Sequence, residues 1–173
     1  LFVIRNAGNL VPHHAEDSAG GESATIEYAV NGLAVRHIIV CGHSRCGAMQ
    51  AILHPEMLSG LPVMKKWLLP SFMIAEKVRA RCHHQDEFNL WGLTVQENVL
   101  TQLENLKTHP SVQDGLARED LQLHGWIFDI HSGTVSIYSE EQRDFIPVYG
   151  PPVSVSSSDS TKNREEHYSE NRE

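Results

Sequence analysis

Apolar and polar positions along the chain fall into two alternating periods, which predicts strands and helices in alternation. Leu1, Phe2, Val3 and Ile4 form a strand-like run, followed by Arg5-Asn6-Ala7-Gly8-Asn9, whose Asn and Gly residues tolerate the backbone angles of a loop. After Gly20-Gly21-Glu22-Ser23, apolar residues at 26, 29, 30 and 33 recur with helical spacing, so a helix is predicted to end near Gly32. His37-Ile38-Ile39-Val40-Cys41 is uninterrupted, the pattern of a strand covered on both faces in a parallel sheet. Its carboxyl end is Gly42-His43, and Ser44-Arg45-Cys46-Gly47 predicts a tight turn into a helix over residues 48–53.

Residues 63–81 predict a helix broken at Pro70. Val95, Val99, Leu100, Leu103 and Leu106 mark a second amphipathic helix, which Pro110 is expected to close. Residues 121–130 and 134–138 flank His131-Ser132-Gly133, a hairpin signal with a Gly-containing turn. No internal repeat interrupts this order. The expected class is α/β, with a mainly parallel central sheet flanked by helices. Such sheets place ligands at the carboxyl ends of their strands, where Gly42 and His43 fall.

The chain has 173 residues, enough for one domain with a sizeable core. Hydrophobic residues make up 40% and charged residues 21%, the balance of a globular protein. A net charge of -8 leaves no broad cationic surface for a phosphate backbone, so nucleic acid is not an expected partner. No apolar run approaches the roughly 20 residues of a membrane-spanning helix, and the first residues lack a signal peptide's basic start. Cys41, Cys46 and Cys82 are an odd number that suits free thiols in a reducing compartment, so the expected location is cytoplasmic. The domain is expected over residues 1–153, with 154–173 a polar tail that has almost nothing to bury. Because position 1 is Leu and already strand-like, the chain is expected to begin inside its domain.

His43 and Cys46 lie three apart across the strand-to-helix turn, so an imidazole and a thiolate can address one ion. Zinc accepts both. Cys46 sits near the start of the predicted helix, where the dipole favours an anionic ligand. The spacing by itself is more often a turn whose buried thiol packs as a small apolar group. Cys41 shares the face of His43 on an extended run and is a candidate substitute ligand. Cys82 beside His83-His84 reads either as a ligand cluster or as a hydrophilic helix end. Gly42-His43-Ser44-Arg45-Cys46 approaches the Gly-x-Ser-x-Gly nucleophile elbow, but Cys46 stands where its last glycine belongs. A phosphate loop is no better supported, since Gly42 and Gly47 lack the Gly-x-x-x-x-Gly-Lys pattern.

Three stretches in order resemble consecutive blocks of the β-class carbonic anhydrases. They are Leu1-Phe2-Val3-Ile4-Arg5-Asn6-Ala7-Gly8-Asn9, Ser23-Ala24-Thr25-Ile26-Glu27-Tyr28-Ala29-Val30, and Ile39-Val40-Cys41-Gly42-His43-Ser44-Arg45-Cys46-Gly47-Ala48-Met49. Glu97-Asn98-Val99, Leu106-Lys107-Thr108-His109-Pro110 and Leu123-His124-Gly125-Trp126-Ile127-Phe128-Asp129 resemble the family's later helix and final strand. The likeness covers residues 1–147 and leans towards the bacterial branch that accompanies cyanate metabolism.

The resemblance implies a β-carbonic anhydrase-like fold and zinc-dependent, reversible hydration of carbon dioxide to bicarbonate and a proton. It implies His43 and Cys46 as two of three zinc ligands. The third, a cysteine in a Cys-x-Asp-x-Arg segment, is expected upstream of residue 1, with the catalytic Asp and Arg. The family's central first strand is then also missing from this chain. Phe2 and Tyr28 match positions lining an apolar substrate pocket, partly built by a neighbouring subunit, which implies a homodimer or larger homo-oligomer. Helical and strand spacing alone explain both aromatics as core. The competing expectation is a non-catalytic carbonic-anhydrase-like protein that acts through oligomeric or partner interfaces.

Overall fold

The computed structural model describes residues 1–15, 20–82 and 86–148. The expected tail at 154–173, the domain boundary at 153 and the pair His83-His84 lie outside them. Helices flank one face of a four-stranded mixed sheet, the α/β architecture expected. The strands, β1 (His37–His43), β2 (Gln122–Phe128), β3 (Val135–Ser139) and β4 (Asp144–Val148), lie side by side in chain order. β1 and β2 run parallel, and β3 and β4 add antiparallel pairings.

Helix α1 (Gly21–Glu27) continues as a π-turn over Tyr28–Gly32, ending where the apolar spacing placed it. Helix α2 (Gly47–Leu53) follows the turn after β1. The predicted break at Pro70 appears as a short 3-10 turn, Leu69–Ser71, between α3 (Pro62–Leu68) and α4 (Phe72–Arg81). Helix α5 (Glu87–Leu106) is capped by Asp86, whose carboxylate accepts the Asn89 N–H at 2.8 Å. Pro110 does not merely close this region but opens α6 (Pro110–Ala117). A first-turn proline has no intrahelical N–H bond to lose, and its fixed φ suits a helix start.

Two expectations about strands change. Residues 1–4 form no strand, and Leu1, Phe2, Val3 and Ile4 are all exposed. A strand needs a hydrogen-bonding neighbour, and among the described residues this segment has none. β1 is also covered on one face only. Val40 and Gly42 point into the core, while His37, Ile39 and Cys41 are exposed on the other face. β4 was not foreseen, because Pro147 breaks its strand pattern; as an edge strand it tolerates a missing N–H.

α5 lies unusually close to the sheet. A Cβ added at Gly42 would stand 2.8 Å from Val99 Cγ2 and 3.1 Å from Val95 Cγ1, and one at Gly125 would stand 3.1 Å from both Leu103 Cδ1 and Val99 Cγ1. The fully buried Val99 therefore seats on both parallel strands, inside a core that includes Val40, Leu103, Leu106 and Val112. The same helix carries a buried polar ladder that straps down the amino-terminal loop. Asn98 donates to Gly8 O at 3.0 Å, Gln102 donates to Asn98 Oδ1 at 2.9 Å and accepts the Val11 N–H at 2.8 Å, and Asn105 donates to Val11 O at 2.8 Å. His109 completes it, its Nε2–H donating to Pro12 O at 2.9 Å. Paired in this way, amides tolerate burial that would otherwise be costly.

Gly42→Ala is expected to lower stability by about 1–3 kcal/mol in urea denaturation, because Val99 has no room to retreat. Adding Val99→Ala should cost less in that background than in the wild-type chain, and additive losses would refute the contact. His109 supplies a pH test. Burial pushes its imidazole below the ordinary value of 6.5, helped by the nearby His14 and His13 and opposed by the Pro12 carbonyl. Its folded value being depressed, its contribution is complete above 6.5 and is lost as pH falls below it. Thermal midpoints should drop on that acidification, and His109→Gln, which keeps a donor for Pro12, should flatten the dependence.

Candidate metal centre

His43 ends β1 opposite Phe128 of β2, and Cys46 is the residue from which α2 springs. Between them the chain reverses through Arg45, which takes the left-handed conformation at φ 56°. A non-glycine residue adopts that region at a cost, so the surroundings must impose it. They do so from three sides. Ser44 N–H donates to Phe128 O at 2.9 Å, Ile130 N–H donates to Ser44 Oγ at 2.9 Å, and Trp91 Nε1–H donates from α5 to Cys46 O at 2.8 Å.

His43 Nδ1 lies 2.9 Å from Ser44 O. A carbonyl only accepts, so this contact assigns the ring hydrogen to Nδ1 and leaves the Nε2 lone pair free for a metal. Cys46 is a free thiol, 5% exposed. The two donors the sequence singled out are thus held on one rigid turn, with chemistry that suits zinc. They are only part of a set. Among the described residues no three His, Cys, Asp or Glu side chains are grouped to hold a metal ion.

The other candidates take different places. Cys41 stands on the exposed face of β1, where partial burial pushes its thiol up against a weaker opposing backbone hydrogen bond from Phe128. Cys82 packs against the apolar cluster of α2, α4 and α5 as a small hydrophobic group. Ser44 is no free nucleophile: its hydroxyl oxygen accepts the Ile130 N–H at 2.9 Å. Phe2 and Tyr28 do meet, with ring centroids 6.2 Å apart and planes at 60°, but both are exposed, at 46% and 58%. In this single chain they form a surface aromatic pair and not a closed wall.

Two clefts lie elsewhere. One of about 620 Å³ runs between Asn6, Glu22, Leu61, Val63 and Trp67, and one of about 440 Å³ lies among Lys77, Arg81, Glu97 and Tyr138. Neither contains His43 or Cys46, and ligand chemistry outweighs cleft size here, because a metal needs donors before it needs volume. Sequence reasoning missed Trp91 and Asp129, which steer the turn from elements distant in sequence. Only the Asp-x-x-Ser turn pattern ahead of Gly133 hinted at the latter.

Comparison with known proteins gives a consistent picture. The family profile described as carbonic anhydrase matches residues 1–135. "Carbonic anhydrase 1" of Escherichia coli O157:H7 is 42% identical over 151 residues, covering 86% of this chain and 67% of that protein. The "Carbonic anhydrase" of Synechocystis is 44% identical over 147 residues, covering 84% and 53%. The solved β-carbonic anhydrase CcaA superposes with a TM-score of 0.80 at 42% identity, covering 85% of this chain and 71% of that one. The chain therefore spans from about half to two thirds of these curated relatives' lengths.

Trp91→Phe removes a single neutral hydrogen bond to the turn, while Cys46 O keeps the Gln50 N–H at 3.0 Å. The expected loss is about 1 kcal/mol by chemical denaturation, and an unchanged midpoint would show that the indole does not brace the turn.

Proposed function

The chain belongs to the β-class carbonic anhydrase family, and on that premise we propose that it contributes His43 and Cys46 to a zinc site that reversibly hydrates carbon dioxide to bicarbonate and a proton. The observation that carries this reading is the strand-end His43 with its Nδ1 tied to Ser44 O, three residues before a buried, free thiol. When bound, zinc supplies the Lewis acidity that makes water a nucleophile near neutral pH. His43 acts through Nε2 and Cys46 through its sulfur; both are ligands and neither moves a proton. The remaining ligand and the groups that orient the nucleophile are proposed to come from outside the described residues, from the Cys-x-Asp-x-Arg segment that the family resemblance implies.

Phe2 and Tyr28 are proposed as apolar wall for carbon dioxide, a substrate with no charge to pair. Their exposure in one chain supports a second subunit completing that wall, in a homodimer or larger homo-oligomer. Leu1, Val3 and Ile4 expose further apolar surface beside them. Among the described residues no helix is long and apolar enough to cross a membrane. Together with the free thiols, this is compatible with the cytoplasmic location proposed.

The test is zinc content and stopped-flow carbon dioxide hydration of the protein expressed from its whole coding sequence. His43→Ala should remove zinc and activity together, by more than the roughly 10–100-fold that outer-sphere changes cost. Retained activity would sink the assignment. A wild-type protein that assembles but holds no zinc and hydrates nothing would favour the non-catalytic, interface-based reading.

A further inference from the structure

Resting on the reading of His43 as a zinc ligand, we propose that Asp129, acting through Ser44, is a positioning residue that fixes the His43 ring tautomer. The path from the β2–β3 turn to the imidazole runs through the chain neighbours of Asp129, Phe128 and Ile130, to Ser44 and from Ser44 to His43. Asp129 follows β2, and its Oδ1 accepts both the backbone N–H and the hydroxyl of Ser132, at 2.7 and 2.8 Å. Asp129 N–H donates to Thr134 O and Gly133 N–H to Asp129 O, each at 2.8 Å. Gly133 takes φ 71°, the left-handed region the turn requires. Side chain and backbone thus close the turn together.

From this turn the hairpin grips Ser44 by two of its polar groups. Phe128 O accepts the Ser44 N–H at 2.9 Å, and Ile130 N–H donates to Ser44 Oγ at 2.9 Å. Asp129 lies between Phe128 and Ile130 in the chain, so the turn its side chain closes places both of the groups that hold Ser44. The Ser132 N–H and hydroxyl hold the Asp129 carboxyl below the usual carboxylate range, which keeps it an acceptor for the turn. The third polar group, Ser44 O, is then presented to His43 Nδ1 at 2.9 Å. A neutral imidazole has one N–H, so occupying Nδ1 leaves Nε2 as the lone pair. Outer-sphere acceptors generally select the tautomer of a metal-binding histidine in this way. Here the selection reaches back to a hairpin turn on other strands.

The test reads the ring and not catalysis, so it needs no metal. The tautomer of His43 is measured in this chain by ring nitrogen NMR at alkaline pH, with the backbone amide spectrum as a control for folding. The wild-type chain should hold His43 almost wholly as Nδ1–H, and Ser44→Thr, which keeps the hydroxyl, should preserve that state. Ser44→Ala and Asp129→Ala should shift the ring until Nε2–H is the larger fraction, with the amides of α2 and α5 unmoved. If Ser44→Ala fails to fold, Asp129→Ala decides by the same criterion. A wild-type ring in the Nε2–H form, or folded variants that retain Nδ1–H, would overturn the proposal. A correct tautomer, with no zinc bound by the protein expressed from its whole coding sequence, would instead sink the zinc reading and leave the positioning intact.

Discussion

The contact on which the rest depends is the seating of Val99 against Gly42 and Gly125. Without side chains at those two positions, α5 packs so close to the parallel strands that a Cβ at Gly42 would force Val99 to shift and one at Gly125 would be tight against Val99 and Leu103. Gly42 immediately precedes His43 at the end of β1, so this packing lies one residue from the first candidate ligand. It also brings the polar ladder of Asn98, Gln102 and Asn105 within reach of the amino-terminal loop. One helix therefore organises the core, the strap and the candidate site. The same helix carries Trp91, which reaches Cys46 O.

The turn between the ligands shows how tertiary contacts override local preference. Arg45 would not choose a left-handed backbone, yet Phe128, Ile130 and Trp91 hold the peptides on either side of it. The cost of about 1–3 kcal/mol is offset by interactions from β2, the hairpin turn and α5. Strain stored in this place gives His43 and Cys46 a fixed relation before any metal arrives, which is what preorganisation of a metal site requires.

Much of this was legible in the sequence, because period and punctuation are local. The helix ending at Gly32, the break at Pro70, the Gly133 hairpin and the strand-turn-helix around Gly42 all follow from spacing and turn residues. What escaped depends on neighbours. Residues 1–4 have a strand's composition but no described partner to bond. The apolar run from Ile38 to Val40 looks doubly covered, yet only one of its faces meets α5. Pro110 reads as a stop and serves as a start, since as the first residue of α6 it has no intrahelical N–H bond to lose. For the site, the ligand pair was visible as residue types at a telling interval. Its supports were not, because Trp91 and Asp129 act from 45 and 83 residues beyond Cys46.

The most direct test of the central claim is the zinc coordination shell measured by X-ray absorption on the metal-loaded protein. The account predicts sulfur at about 2.3 Å together with imidazole nitrogen at about 2.0–2.1 Å. It further predicts that Cys46→Ser removes one sulfur and His43→Gln removes the imidazole signature. A shell made of other donors, or one that neither substitution alters, would contradict it.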